Sequence, residues 1–111
     1  MTQEDKKLLL ADLCARLPYR VKYQDRIDKE VLTLTLGIIH HYERFIPYLR
    51  PMSSMTEEEK ETYESFIIGI AADEIGAWEL TDWLNEHHFD YRGLIEKGLA
   101  IKAPEGMYEI K

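Results

Sequence analysis

A single cysteine, Cys14, stands in 111 residues, so no disulfide can form within the chain. No apolar run approaches the roughly 18 residues of a membrane-spanning helix. No apolar signal segment follows the polar start Met1-Thr2-Gln3-Glu4-Asp5. These absences predict a soluble, cytoplasmic protein with no membrane partner. No internal repeat, low-complexity tract or Gly/Ser-rich linker divides the chain. The expectation is one domain over residues 1–111.

Basic residues are scarce in the second half. Residues 1–50 hold nine Lys/Arg and seven Asp/Glu, net +2, whereas residues 51–111 hold five and fourteen, net −9. An acidic half repels phosphates, whose binding needs clustered Lys and Arg, so direct nucleic-acid binding is not expected. A protein partner with a basic surface is compatible with this field. An ordinary solubilising surface accounts for the same charge. What the chain does have is apolar material: 45% hydrophobic and 11% aromatic residues. That suffices for a core without a metal or disulfide staple.

The periodicities predict an α+β fold, with three to four helices packed on a short antiparallel hairpin or small sheet. A helix is expected over residues 3–17, capped by Thr2 with Asp5 three residues on. Leu10, Leu13, Cys14 and Leu17, with Leu9 beside them, form its apolar side, which buries the thiol. Lys6, Lys7, Asp12 and Arg16 take the wet side, and Pro18 stops the helix. Thr56 and Glu59 make a second capping box ahead of a helix over 57–68, whose stripe is Tyr63, Phe66, Ile67 and Ile70. Gly69 and Gly76 leave residues 69–77 open between helix, strand and loop. A further helix over 79–88 buries Leu80, Trp83 and Leu84.

Residues 19–24 alternate and predict a strand with Tyr19, Val21 and Tyr23 on one face. A turn follows from Asp25 to Lys29. Residues 30–39 read as its partner strand, with Leu32, Leu34, Leu36 and Ile38 aligned and β-branched Val31, Thr33 and Thr35 opposite. A helical period through Ile27, Val31, Leu34, Ile38 and Phe45 competes with that reading. Pro47 and Pro51 enforce an extended or turning segment. Asp90–Gly93 signals a turn, Leu94–Lys97 one helical turn closed by Gly98, and Leu99–Lys102 a short strand; Pro104–Gly106 turns again. The expected core comprises Leu10, Leu13, Leu17, Val21, Leu34, Tyr63, Phe66, Ile67, Trp83 and Leu84.

Several segments carry a resemblance. They are Asp12–Tyr19 (DLCARLPY), Pro47–Glu59 (PYLRPMSSMTEEE), Trp83–Asn85 (WLN), His88–Ile95 (HFDYRGLI), Gly98–Ala100 (GLA) and Ala103–Tyr108 (APEGMY). Together they resemble a group of small uncharacterised proteins from Bacteroides-type gut bacteria and their phages or mobile elements, over roughly half the chain. Residues 24–43 and 67–79 depart from the pattern. The resemblance implies a phage-like or mobile-element origin and brings no activity, cofactor or catalytic residue with it.

Motifs of known chemistry are sparse. The histidines form two adjacent pairs, His40-His41 and His87-His88. Neighbouring residues diverge on either a strand or a helix, so each pair offers one ligand, and a metal needs three or four. Glu43 or Glu86 is the carboxylate that could add to them. The placement of His87 and His88 near a helix end suits the negative end of the dipole. No His-Glu-x-x-His, cysteine pair or calcium-loop spacing occurs. Glu79, Asp82, Glu86 and Asp90 recur at spacings of three and four, as a solvated helix face does. Ser53, Ser54 and Ser65 sit in no nucleophile elbow.

Aromatic residues crowd the last third: Trp78, Trp83, Phe89, Tyr91 and Tyr108. Such residues build small cores and, when exposed, anchor interfaces. The turn from Phe89 to Gly93 is therefore the expected working surface, with Phe89 inward and Tyr91 and Arg92 reaching out. The candidate partner-binding residues are Tyr91, Arg92, Asp90 and Glu86. A competing account makes Tyr91 core and pairs Arg92 with Asp90 or Glu96. No catalytic residue, cofactor or metal is assigned. The functional expectation is a non-enzymatic interaction or accessory module with a protein partner, self-association being left open. The alternative is a small metal-dependent hydrolase using the histidine pairs.

Overall fold

Helix α1 (Gln3–Arg16) starts where the sequence places it. Thr2 accepts the Asp5 N–H at 3.0 Å and Asp5 accepts the Thr2 N–H in return. The chain leaves through a 3₁₀ turn at Leu17–Tyr19 and a left-handed Arg20 (φ 55). It then enters β1 (Lys22–Asp25), β2 (Val31–Thr33) and β3 (Phe45–Leu49). Helices α2 (Glu57–Ala71) and α3 (Ala77–Glu86) follow, then β4 (Ile101–Lys102). This computed structural model describes residues 1–108.

The four strands form one mixed sheet in the order β2-β1-β3-β4. β1 pairs antiparallel with both β2 and β3, and β3 runs parallel to β4. The fold is therefore α+β. The core is built from α1 and the sheet: Leu9 and Leu13 from the helix, Val21, Tyr23, Phe45 and Leu49 from the strands. Leu34, Leu94, Leu99 and Ala100 close it.

The strand expected over 30–39 is corrected. β2 stops at Thr33, and Leu36–Arg44 forms a 3₁₀ helix broken at His41. The reason lies in the partner strand. Lys22 pairs with Thr33, Val21 accepts the Leu34 N–H, and Arg20 then turns away in the left-handed region. Residues after Leu34 find no ladder and satisfy their backbone locally. Of the rival helical set, Leu34, Ile38 and Phe45 face the core but Ile27 and Val31 are exposed, and Val31 and Phe45 lie in strands; Leu32 and Leu36 of the expected strand face are exposed too.

The buried face of α1 is also rotated from expectation. Leu9, Asp12, Leu13 and Arg16 are buried, and Cys14 is exposed. The polar pair turns inward because the C-terminal segment supplies partners for it, described below. Of the expected core, Leu13, Val21, Leu34 and Leu84 are buried. Leu10, Leu17, Tyr63, Phe66 and Trp83 are half-buried and Ile67 is exposed.

The open stretch 69–77 resolves into the last turn of α2, a connection over 72–76 and the start of α3. Gly69 lets Ile75 pack close there: a Cβ on it would lie 2.4 Å from the end of the Ile75 side chain, which would have to shift. The α2–α3 pair stands outside the main core. Only Glu59 and Gly69 of α2 are buried, and Phe66 packs on Trp83 with ring centroids 5.8 Å apart. The radius of gyration, 14.5 Å, exceeds the ~13 Å of a rounder chain of this length, as a projecting helix pair would make it.

Candidate functional site

Several long-range polar contacts meet at the turn after α3. His88 takes a left-handed conformation (φ 62), which swings the chain back against β3. The Arg50 N–H donates to the His88 carbonyl and the Asp90 N–H donates to the Arg50 carbonyl, each at 2.8 Å. Phe89 is thereby fixed with its side chain fully buried, as its position in the sequence suggested. Its two ends meet different arginines. The Arg16 guanidinium donates to the Phe89 carbonyl, and the Arg50 guanidinium lies 4.2 Å from the centre of its ring.

Asp12 organises the first of two buried ion clusters. Its carboxylate accepts from Arg16 Nε at 2.8 Å and from Arg92 Nε at 3.1 Å. Arg92 also donates to the Tyr91 hydroxyl at 3.0 Å, and that hydroxyl donates to Asn85 Oδ1 at 2.9 Å. The chain thus links α1, α3 and the turn. Tyr91 and Arg92 are half-buried and end on the protein's own groups rather than reaching outward. Arg92 is paired, as the competing account held, but with Asp12 and not with Asp90 or Glu96.

Asp90 has a local duty. Its two carboxylate oxygens accept the N–H groups of Leu94 and Ile95 at 2.9 and 3.0 Å, opening the turn that follows. Gly93 (φ 75) and Gly98 (φ 74) bound that turn in conformations that a side chain would strain. Glu86 is exposed at the end of α3. On α3 the acidic series is a solvated face, with Asp82 and Glu86 exposed and Glu79 half-buried, whereas Asp90 lies beyond the helix. Glu79 accepts the Gly76 N–H, Asp82 accepts the Tyr19 hydroxyl, and Asp90 caps a turn. The Asp82 hydrogen bond, with burial and the charges of Asp82 and Glu86 behind it, pushes the Tyr19 phenol up to about 12.

The second ion cluster went unnoticed in the sequence. Arg50 makes a two-pronged contact with Glu59, at 2.8 and 2.7 Å, with both side chains nearly closed off from solvent. Glu59 also completes the α2 capping box with Thr56. Burial opposes its charge, but the Arg50 hydrogen bonds, the Thr56 N–H and the Arg50 charge outweigh burial, so its carboxyl lies below the usual range. The capping box was legible; the buried partner from β3's end was not, because nothing in local spacing links residues 50 and 59.

The histidines do not converge. The His40 and His41 rings lie 4.0 Å apart, tilted by 44°, on the exposed 3₁₀ segment. His87 lies against the Trp83 ring, 4.9 Å between centroids. His88 stacks on Tyr108 at 3.8 Å. Burial, aided by the positive charges of Arg16, His87 and Arg50, lowers the His88 imidazole to about 4. A neutral ring cannot serve the helix dipole, so that expectation is corrected for His88. Among the described residues no three of His, Cys, Asp and Glu gather into a set that could hold a metal ion. The Tyr108 hydroxyl, raised to about 12 mainly by burial, accepts the Lys22 N–H and donates to the Tyr48 carbonyl. It fastens the C-terminal segment across β1 and β3.

No family model, curated protein or solved structure matches this chain. No helix among the described residues is long and apolar enough to cross a membrane. A cleft of about 420 Å³ runs between the start of α2 and the C-terminal segment, and a more open one of about 460 Å³ lies between Ala15 and the Trp78–Asn85 side of α3. Arg50 on the wall of the first is already held by Glu59. The other charged groups facing it, Lys102 and Glu105, are of opposite sign and give the cleft no preference.

Proposed function

We propose that this protein is a non-enzymatic interaction module, an accessory protein of phage or mobile-element origin that acts in the cytoplasm on another protein. The observation that carries the reading is that the polar side chains around residues 89–92 are engaged with one another, Arg16 Nη1 alone among their buried nitrogens lacking a partner. Acid–base or nucleophilic chemistry needs a titratable group free to exchange a proton with a ligand. Here Asp12, Arg16, Tyr91 and Arg92 bond to one another and to Asn85 and Phe89. Their arrangement supports a structural role, one that locks the turn against α1. Large apolar side chains stand outside instead, among them Trp78 and Ile68, 70% and 69% exposed. Exposed aromatic and aliphatic groups of this kind mark contact surfaces.

The test pairs affinity capture with an activity screen. The tagged protein is expected to retain a defined protein at stoichiometric amounts from host lysate. It is expected to turn over no ester, phosphoester or peptide substrate with or without added zinc. Metal-dependent hydrolysis that is lost in His87→Ala would replace the reading with the hydrolase alternative.

A further inference from the structure

We infer that the outer face of α2, at its C-terminal end, docks a basic amphipathic helix of a partner protein. The inference rests on the interaction-module reading and names the surface and partner for it. The inner face of α2 is settled by Glu59, Tyr63, Phe66, Gly69 and Ile70, which are buried or half-buried. Ile68 lies about 160° around the helix from Phe66, and it is 69% exposed; Ile67, on the flank, is 44% exposed. One turn before Ile68 is Glu64 and two turns before it is Glu61; one turn after it are Ala71 and Ala72. All four are exposed. The face thus offers a large apolar group with a flat alanine shoulder on one side and carboxylates on the other.

Charge selects the occupant. Residues 57–86 contain ten Asp/Glu and one Lys, net −9, while the whole chain is net −7. The acidity of the second half therefore resides in this helix pair and not in the turn at 89–93, because residues 87–111 hold four Asp/Glu and four Lys/Arg. The single lysine, Lys60, is taken by Glu57. A second copy of the same face would bring like charge against like charge. A nucleic acid would bring phosphates against carboxylates. A segment with Lys or Arg beside an apolar stripe satisfies both features at once. The helical spacing of Glu61, Glu64, Ile68 and Ala71 suits a helix laid along it, side-chain ridges into grooves.

The test uses a labelled synthetic peptide of Leu and Lys in helical period, about five turns long, titrated by anisotropy. Two controls replace every Lys by Glu, or every Leu by Ser. The Leu/Lys peptide is expected to bind and both controls to fail. Ile68→Ser, at an exposed position, is expected to weaken binding about tenfold. Glu61→Gln with Glu64→Gln is expected to weaken it several-fold and to flatten its salt dependence. Val31→Ser, on the β2 edge, is expected to change nothing. Binding of the Leu/Lys peptide that ignores Ile68→Ser, or no binding at all, overturns the proposal. So does a dimer in sedimentation that Ile68→Ser dissolves, which would make a second copy the occupant. A captured partner that binds Ile68→Ser normally removes this surface and leaves the interaction-module reading standing.

Discussion

Arg16 follows Asp12 by one turn of α1, and neither side chain has any surface in contact with solvent. The pair is completed from far along the chain, by Arg92 on the carboxylate and the Phe89 carbonyl on the guanidinium. Two cations and one anion make an unbalanced cluster, and the anion is its hub. Asp12→Leu is therefore expected to cost about 3–5 kcal/mol, because it strands two guanidiniums in or near the interior. Arg16→Met is expected to cost less, since Arg92 still pairs with the carboxylate. The double variant should be more stable than the sum of the singles, a coupling of about 1–3 kcal/mol. Urea melts of the four proteins measure it, and simple additivity would show that the contact carries no energy.

Cys14 occupies the neighbouring face of the same helix and is exposed. Rotation of α1 to bury Asp12 and Arg16 places it there. A thiol-specific chromogenic reagent is expected to label the native protein to one equivalent without denaturant. Labelling that waits for unfolding would put the thiol back in the core.

These two residues show where the sequence was readable and where it was not. Both capping boxes were visible, because Thr2–Asp5 and Thr56–Glu59 act over three residues. The β1–β2 hairpin was visible because alternation is local. The inward turn of Asp12 and Arg16 depends on groups some eighty residues away, and no local period carries that information. A retrospective signal exists: Leu9, Asp12, Leu13 and Arg16 themselves recur at helical spacing. β3 was hidden by Pro47, which sits inside it as a buried residue. At the candidate site Phe89 was rightly placed inward, whereas Tyr91 and Arg92 joined a network that only the folded chain assembles.

His88 makes stability depend on pH in the mildly acid range. Its ordinary value is 6.5, and the folded state holds it at about 4. Between these values the unfolded chain binds a proton that the folded chain does not. Stability is therefore fully present above about pH 6.5 and falls as pH drops toward 4, by about 3 kcal/mol in all. Glu59 and Asp25, both lowered, add loss at still lower pH as their carboxylates protonate. His88→Asn keeps a residue that tolerates the left-handed backbone and removes the titration. Chemical melts from pH 4.5 to 7.5 are expected to show a slope in the native protein and a nearly flat line in the variant. Equal slopes would assign the effect to other groups.

Trp83 and Trp78 are five residues apart on α3 and should behave in opposite ways. Trp83 is half-buried and meets three rings, those of Phe66, His87 and Phe89, at 5.8, 4.9 and 5.7 Å between centroids. It ties the α2–α3 pair to the turn that carries Phe89. Trp78 is 70% exposed, and its ring folds back over Gly76. Full burial of a tryptophan is worth about 3–5 kcal/mol on truncation, so half-burial with three aromatic contacts points to about 2–3 kcal/mol for Trp83→Ala. Trp78→Ala is expected to stay within about 0.5 kcal/mol, as surface substitutions do. Fluorescence separates the two without any melt. The Trp78→Phe protein reports Trp83 alone and should emit at shorter wavelength than Trp83→Phe. A Trp83→Ala loss below about 1 kcal/mol, with red-shifted emission from Trp83, would detach the helix pair from the turn and assign Trp83 to the surface.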